Sequence, residues 1–213
     1  MRTRIIHTVV LSVLAITTCL TLGGCELAYL LAGNGSHAAL YKLPKKDRVL
    51  VLVDTSSDSQ LTIHAVATMT TEINQILYTH KCADNFVPAY RIVALRKKNS
   101  VTFHKMGIAD IAQAVGANAV IYVFVTRFEV RLESAGQLTK GDASAQVKVV
   151  DGNGNRLWPK SGSPGLSVTA RIPTATAVSQ SPQSVESDMV TILSRRIARM
   201  FYKYSLGYTP KSE

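Results

Sequence analysis

The apolar positions along the chain form two kinds of pattern, and each kind predicts a different type of element. Continuous apolar runs at residues 49–53 and 119–125 predict strands that are buried on both faces. Apolar side chains at helical spacing predict amphipathic helices over residues 61–80, 108–115 and 182–204. Because strand and helix alternate along the first half of the chain, that half predicts an α/β arrangement.

Two further signals complete the first half. Residues 91–95, which follow Pro88, predict a short second strand. Gly116 directly follows the helical pattern of residues 108–115 and predicts the end of that helix. Two helices would therefore lie between the first three strands.

The second half of the chain predicts antiparallel strands. Strict alternation at residues 126–133 replaces the continuous run before it, which predicts that this strand continues with one face in solvent. After a predicted loop at residues 134–141, residues 143–150 alternate again, and Asp-Gly-Asn-Gly-Asn at residues 151–155 favours a tight hairpin. The strands that follow are predicted at residues 156–159 and 165–172.

These elements predict one domain over residues 48–206. Its fold class would be α/β (α+β): a single three-layer-like domain with a mixed sheet, an antiparallel hairpin region and a long C-terminal helix. Ser181 followed by Pro182 is a good start for that helix, because proline suits the first helical position. Residues 207–213 are predicted to form a loose tail.

The start of the chain predicts export. A short basic start is followed by an apolar run over residues 5–22, an order typical of a secretory signal over residues 1–24. Leu22-Gly23-Gly24-Cys25 resembles the lipobox of bacterial lipoproteins, which implies cleavage between Gly24 and Cys25 and acyl chains on the Cys25 thiol. The alternative is a single transmembrane anchor, since the run is about as long as the roughly 20 residues that span a bilayer.

The lipobox resemblance also implies a location. Residues 25–47 would form the lipidated N-terminus and a tether that holds the domain near the membrane. In many diderm bacteria an aspartate after the acylated cysteine retains lipoproteins in the inner membrane. By that analogy Glu26 favours the outer membrane, with the domain facing the periplasm.

The charge of the chain suggests partners without naming one. The 24 basic side chains outnumber the 14 acidic ones, which gives a net charge of +10. Such an excess suits nucleic acid, an anionic lipid surface or an anionic glycan, and export makes nucleic acid the poorest of these. The basic side chains most suited to lipid or glycan contact are Arg96, Lys97, Lys98, Arg195, Arg199 and Lys203.

Candidate metal ligands are few. His80, Cys82 and Asp84 lie two residues apart with His104 downstream, but the paired spacing of structural zinc sites is absent from the sequence. Residues 151–155 alternate oxygen-bearing side chains as a calcium loop does, and the hairpin turn accounts for the same residues. We therefore predict no metal and no cofactor, and we predict that Cys82 is a buried apolar residue.

Catalytic motifs are also lacking. The sequence has no Gly-x-Ser-x-Gly elbow, no glycine-rich phosphate loop after the first strand and no paired carboxylates. Asp54 follows the first strand, where α/β proteins often place function, although a single carboxylate there is more often a turn or helix cap. No catalytic residue is predicted.

The order of elements resembles a known group of α/β domains. Residues 48–54, 108–121 and 151–158 look like the domain shared by the amino-terminal domain of TolB, the curli-secretion lipoprotein CsgG and the peptidoglycan-synthase activator LpoB. With residues 39–44 included, the chain looks still closer to uncharacterised bacterial lipoproteins. The resemblance implies an α/β envelope lipoprotein and transfers no catalytic residue.

The sequence therefore predicts a lipid-anchored cell-envelope protein with a non-catalytic scaffold, accessory or activator role through protein partners. The alternative is an oligomeric component of a secretion or polysaccharide-export assembly. The third hypothesis is an envelope enzyme, which would require a cluster of titratable side chains around a concave pocket.

The lipid anchor gives the first testable prediction. Cys25→Ser should either release the protein from membranes or leave it uncleaved, because serine cannot accept the thioether-linked lipid. Cys82→Ser, which changes the other cysteine of the mature chain, is the matched control and should fractionate as the wild type does. Membrane fractionation with intact-mass measurement checks the prediction, and unchanged fractionation and mass in Cys25→Ser would refute it.

Overall fold

A computed structural model describes residues 36–56, 59–98, 100–133, 138–160, 162–172 and 181–205. The predicted signal, Gly24, Cys25 and the tail at residues 207–213 lie outside the described residues. The described chain forms two compact units, of which the smaller contains residues 36–38 and 203–205. In the smaller unit, strand Ser36–His37 pairs antiparallel with strand Tyr204–Ser205, and the rings of His37 and Tyr204 stack with centroids 4.9 Å apart.

The larger unit, Ala39–Tyr202, contains the mixed sheet and the helices. Its described strands are β1 (Arg48–Thr55), β2 (Asn85–Phe86), β3 (Ala119–Glu133), β4 (Leu138–Asp151), β5 (Arg156–Trp158) and β6 (Leu166–Ile172). Its described helices are α1 (Ile63–Thr79), α2 (Ala89–Lys98), α3 (Ser100–Lys105), α4 (Ile108–Val115) and α5 (Pro182–Ala198).

The sheet joins a parallel half to an antiparallel half. Strands β2, β1 and β3 pair in parallel in that order, and β4 then pairs antiparallel with the other edge of β3. Both β5 and β6 pair antiparallel with β4, along different parts of its length. The predicted mixed sheet with an antiparallel hairpin region is therefore confirmed.

Helices cover one face of the sheet more fully than the other. The arrangement therefore has three layers over only part of the sheet. Helices α1 and α5 pack on one face, where they share a core with the inward residues of β1, β3, β4 and β6. Helices α2, α3 and α4 pack on the other face, against Leu50, Leu52 and Val120. Beyond these three helices, the same face of β4 carries half-buried polar side chains, such as Gln146 and Lys148.

Strand β3 changes its inward register partway along. The pairing of β3 with β4 shifts between Val125 and Arg127, as it does at a β-bulge. Val123 and Val125 are buried before the shift, and Phe128 is buried after it. The bulge therefore keeps apolar side chains on the core face while the other face becomes polar, as the alternation at residues 126–133 predicts.

The second predicted strand is wrong, because residues 91–95 lie within helix α2. The Arg91 N–H donates to the Pro88 carbonyl in the first turn of this helix. Ile92 and Leu95, three residues apart, both pack in the core under α2, α3 and α4. The strand between β1 and β3 is instead the two-residue β2. Four described helices, rather than two, therefore lie between the first three strands of the sheet.

Three predicted boundaries differ by some residues from the observed boundaries. They are the start of the domain, the loop before β4 and the end of the last helix. The larger unit begins at Ala39 rather than at residue 48, and Leu43, in the predicted tether, is 5% exposed in the core. Strand β4 begins at Leu138, inside the predicted loop. Helix α5 ends at Ala198, before the predicted end, and the Met200 carbonyl just beyond it accepts hydrogen bonds from the N–H groups of residues 40 and 41.

The hairpin between β4 and β5 is pressed against the turn that precedes β3. The Gly152 N–H donates to the Asn118 carbonyl at 2.7 Å, and a Cβ atom on Gly152 would lie 2.8 Å from the Ala117 carbonyl oxygen. Asn118 also holds the start of β1, because its N–H donates to the Arg48 carbonyl at 2.9 Å. Gly152 thus permits a close backbone approach that a larger residue would prevent.

This contact predicts that Gly152→Ala lowers the free energy of unfolding by about 1–3 kcal/mol, because backbone atoms must move to admit the new methyl group. Gly162→Ala is the matched control, since a Cβ atom there would meet no atom within 4 Å. Urea unfolding of both variants measures the difference. Equal stability of the two variants would contradict the contact.

Candidate functional site

A cleft of about 620 Å³ lies at the carboxyl end of strand β1. Its walls are mainly apolar and come from β1, α1, α2, α3 and α4, and its polar lining includes Asp54, Tyr122, Arg96, Lys97 and His104. Pockets of this size and composition are typical of small-molecule sites. We call this concavity the cleft.

Asp54 and Tyr122 form one hydrogen-bonded pair in the cleft. The Tyr122 hydroxyl donates to Asp54 Oδ2 at 3.1 Å, and the Thr55 N–H donates to Asp54 Oδ1 at 2.9 Å. Burial, followed by the charge of Asp54 and this hydrogen bond, raises the pKa of Tyr122 well above its ordinary value of 10.0. Tyr122 therefore acts as a hydrogen-bond donor at neutral pH.

Arg96 supplies the cation on the cleft wall. Its guanidinium carbon lies 4.7 Å from the centroid of the Phe103 ring, a cation–π contact that fixes its position. The Arg96 Nε atom is buried and has no hydrogen-bond partner among the described residues. Lys97 and His104, both exposed, also line the cleft. The cleft therefore combines apolar walls with a cationic side.

The topology explains why a concavity forms here. The connection from β1 leads to β2 on one side of it, whereas β3, on the other side of β1, leads directly to β4 in the opposite direction. Open α/β sheets bind ligands beside the carboxyl ends of their strands, and here β1 ends opposite Val125 while β3 continues to Glu133. In the sequence, Asp54 was noted because it follows the first strand, with a turn or helix cap as its more common role, and the structure places it in the cleft.

Tyr122, Phe103 and the role of Arg96 were not predicted from the sequence. Tyr122 is separated from Asp54 by 68 positions, and only the parallel pairing of β1 with β3 brings the two together. A signal was present, because Tyr122 places a hydroxyl inside the most apolar strand of the chain. A buried tyrosine hydroxyl usually needs a partner, and the predicted neighbouring strand ends in Asp54.

A second concavity of about 610 Å³ lies beside edge strand β2. Tyr78 on α1 and Tyr90 on α2 line it with 60% and 67% of their surfaces exposed, and Phe86 and Pro88 lie between them in sequence and line it too. Its polar lining includes Asn74, whose Nδ2 donates to the Val87 carbonyl at 3.1 Å. We call this concavity the tyrosine groove.

The predicted basic side chains do not form one surface. Arg96, Lys97 and Lys98 end helix α2, which packs on one face of the sheet, whereas Arg195 and Arg199 end helix α5, which packs on the other face. Lys203 is exposed and belongs to the smaller unit. Of these residues, Arg96 and Lys97 are the two that line the cleft.

The candidate metal ligands are used for packing and for turns. The His80 ring stacks on the Tyr202 ring with centroids 3.6 Å apart. Cys82 is 9% exposed in the core, so its predicted burial is confirmed, and that burial raises the pKa of its thiol. Among the described residues, no three histidine, cysteine or acidic side chains are grouped so that they could hold a metal ion.

The carboxylate of Asp151 accepts hydrogen bonds from other residues of its own turn. Its Oδ1 accepts from the N–H groups of Asn153 and Asn155 at 2.9 and 2.8 Å, and its Oδ2 accepts from Asn155 Nδ2 at 2.9 Å. These hydrogen bonds lower the pKa of Asp151. The predicted hairpin is confirmed, with Gly154 at a positive φ of 88°.

Comparisons with known proteins show distant similarity to bacterial lipoproteins. The lipoprotein GNA1162 from Neisseria meningitidis is 18% identical over 71% of this chain and 99% of its own, with a TM-score of 0.45. The PelC dodecamer from Paraburkholderia phytofirmans is 16% identical over 79% and 97%, with a TM-score of 0.44. Uncharacterized lipoprotein B from Nitrosomonas europaea is 12% identical over 76% and 86%, with a TM-score of 0.36.

Two of these three similar structures are described as lipoproteins. At these identities and TM-scores the similarity assigns neither a family nor an activity. No protein-family model matches the chain, and no curated protein matches it. Within the described residues, no helix is both long enough and apolar enough to cross a membrane.

The Asp54–Tyr122 pair predicts a specific dependence of stability on pH. A tyrosine whose pKa is higher in the folded than in the unfolded chain contributes stability below pH 10, and loses it as pH rises above that value. The free energy of unfolding of Tyr122→Phe should therefore decline less steeply than that of the wild type between about pH 9.5 and 11.5.

Urea unfolding across this pH range checks the prediction. Tyr78→Phe, which removes the hydroxyl of an exposed tyrosine in the tyrosine groove, is the matched control and should decline as steeply as the wild type. Parallel curves for Tyr122→Phe and wild type would show that the hydroxyl of Tyr122 is not held in its protonated form by the fold.

Proposed function

We propose that this chain is a lipid-anchored cell-envelope protein whose folded unit binds a protein partner and performs no catalysis. The anchor rests on the signal and on Cys25, as argued from the sequence. The binding role is supported by the tyrosine groove, where two largely exposed tyrosines flank a sheet edge. Exposed tyrosines of this kind are enriched at protein interfaces, because one side chain offers both apolar area and a hydrogen-bonding hydroxyl.

The form of the groove suits an extended or loop segment of a partner. Phe86, in β2, and Pro88 offer apolar contact, while Asn74, Gln75 and Asn85 offer amide groups along the same groove. Strand β2 is the outermost strand on its side of the sheet, so a partner segment can approach it without displacing another strand. Tyr78 and Tyr90 would then be the anchor residues of the interface.

The chemistry of the cleft supports a binding role over an enzymatic one. A catalytic acid or base is most effective when its pKa lies close to the working pH. Burial and Asp54 move the pKa of Tyr122 in the opposite direction, away from neutrality. Both carboxylate oxygens of Asp54 already accept hydrogen bonds, from Tyr122 and from Thr55. Asp54 and Tyr122 are therefore engaged with each other and with Thr55, which favours a structural role for this pair over an acid–base role.

Site-specific photo-crosslinking in intact envelopes tests the proposal. A photoreactive amino acid placed at Tyr78 or at Tyr90 should yield the same discrete crosslinked protein. Val101, which is 67% exposed like Tyr90 and lines neither concavity, is the matched control position and should yield none. The same crosslinked pattern at all three positions, or no crosslink at either tyrosine, would contradict the proposal.

Co-purification measures the strength of the interface. The double variant Tyr78→Ala, Tyr90→Ala should retain the crosslinked partner at least about tenfold less than wild type does, because interface anchors typically contribute 2 kcal/mol or more each. Val101→Ala should retain it fully. If the crosslinked protein proves to be a second copy of this chain, the result would favour the oligomeric alternative over a scaffold for another protein.

A further inference from the structure

The cleft is lined by charged and apolar side chains that a protein partner bound at the tyrosine groove would not contact. The two concavities share no lining residue among those that the structure describes, so occupation of one does not imply occupation of the other. We propose that the cleft is a binding site for a single-chain anionic amphiphile, with its apolar chain between the helices and its anionic head at Arg96 and Lys97.

The apolar part of the cleft fits a hydrocarbon chain. Ile63 and Val66 of α1 line it, as do Phe103, Ile108 and Ile111 from α3 and α4. Ile63 is 65% exposed although it begins a core-facing helix, so a large apolar surface meets solvent at this concavity. A ligand chain that covered this surface would be stabilised by about 25 cal/mol for each Å² removed from water.

The charged part of the cleft fits one anion. Helix α2 ends with three basic residues, and two of them, Arg96 and Lys97, line the cleft. Among the described residues, no carboxylate forms an ion pair with Arg96, and its guanidinium is held against the Phe103 ring instead. A guanidinium positioned in this way can donate two parallel hydrogen bonds to a carboxylate or to a phosphate.

Among the described residues, Asp54 is the one carboxylate that lines the cleft, and it sets the orientation of the ligand. Its charge opposes an anion nearby, and its two oxygens are engaged by Tyr122 and Thr55. The anionic head would therefore lie toward α2, away from the end of β1. This orientation predicts opposite effects of two substitutions on the affinity for the ligand. Asp54→Asn should strengthen binding, whereas Arg96→Gln should weaken it.

Photoaffinity labelling of the full chain in lipid nanodiscs tests the proposal. The probes are a twelve-carbon fatty acid with a diazirine on its chain, the corresponding lysophosphatidic acid and the corresponding alcohol. We expect at least one of the two anionic probes to label peptides that contain residues 63–66 and 103–108, about tenfold more than the alcohol does. The acid that labels more strongly identifies the head group as carboxylate or phosphate.

The variants locate the head group. Arg96→Gln should lower labelling by the anionic probes about tenfold, the loss expected for one charge-assisted hydrogen bond. Lys98→Gln removes the same charge from an exposed neighbour that does not line the cleft, and it is the matched control. Lys97→Gln, at an exposed position, provides a second test if Arg96→Gln fails to fold.

Three results would overturn the proposal. One is equal labelling by the anionic probes and the alcohol, which would leave Arg96 and Lys97 without a role. Another is labelling spread over the surface of the chain rather than confined to the cleft peptides. The last is the same loss of labelling in Lys98→Gln as in Arg96→Gln and Lys97→Gln. None of these results depends on a partner at the tyrosine groove.

Discussion

The burial of strand β3 is the constraint on which the rest of the structure depends. Val120, Ile121, Val123 and Val125 are fully buried, and β3 pairs in parallel with β1 on one side and antiparallel with β4 on the other. A strand in this position must be apolar on both faces, and a helix layer must cover each face. Where the second helix layer ends, β3 passes through a bulge and its outer face becomes charged, with Glu129 paired to Arg127 and Arg131.

The concavities follow from this partial cover. Helices α2, α3 and α4 cross one face of the parallel strands, and the cleft opens where their apolar side chains meet the carboxyl end of β1. The tyrosine groove forms on the other side of β1, because β2 is only two residues long and leaves α1 and α2 exposed beside it. Both candidate sites therefore lie on the parallel half of the sheet, and the antiparallel half extends and stabilises it.

Much of this architecture could be predicted from local patterns. The runs that form β1 and β3, the stripe of α1 and the glycine that ends α4 are signals contained within a few residues, and the structure agrees with them. Residues 91–95 were mispredicted because a four-residue apolar run, at residues 92–95, fits a strand as well as one turn of helix, and only packing in the core under α2, α3 and α4 decides between them. The sites were harder to predict, since the Asp54–Tyr122 and Arg96–Phe103 contacts depend on tertiary packing.

We propose that this protein works by binding at the two concavities of its parallel half. Hydrogen–deuterium exchange tests it most directly, by comparing the chain in its native envelope with the purified chain in nanodiscs. We expect slower exchange in the envelope for peptides covering residues 71–90 and 96–107, with no change in β4 and β6. Identical exchange in both settings, or slower exchange confined to the polar outer face of β4 and β6, would contradict it.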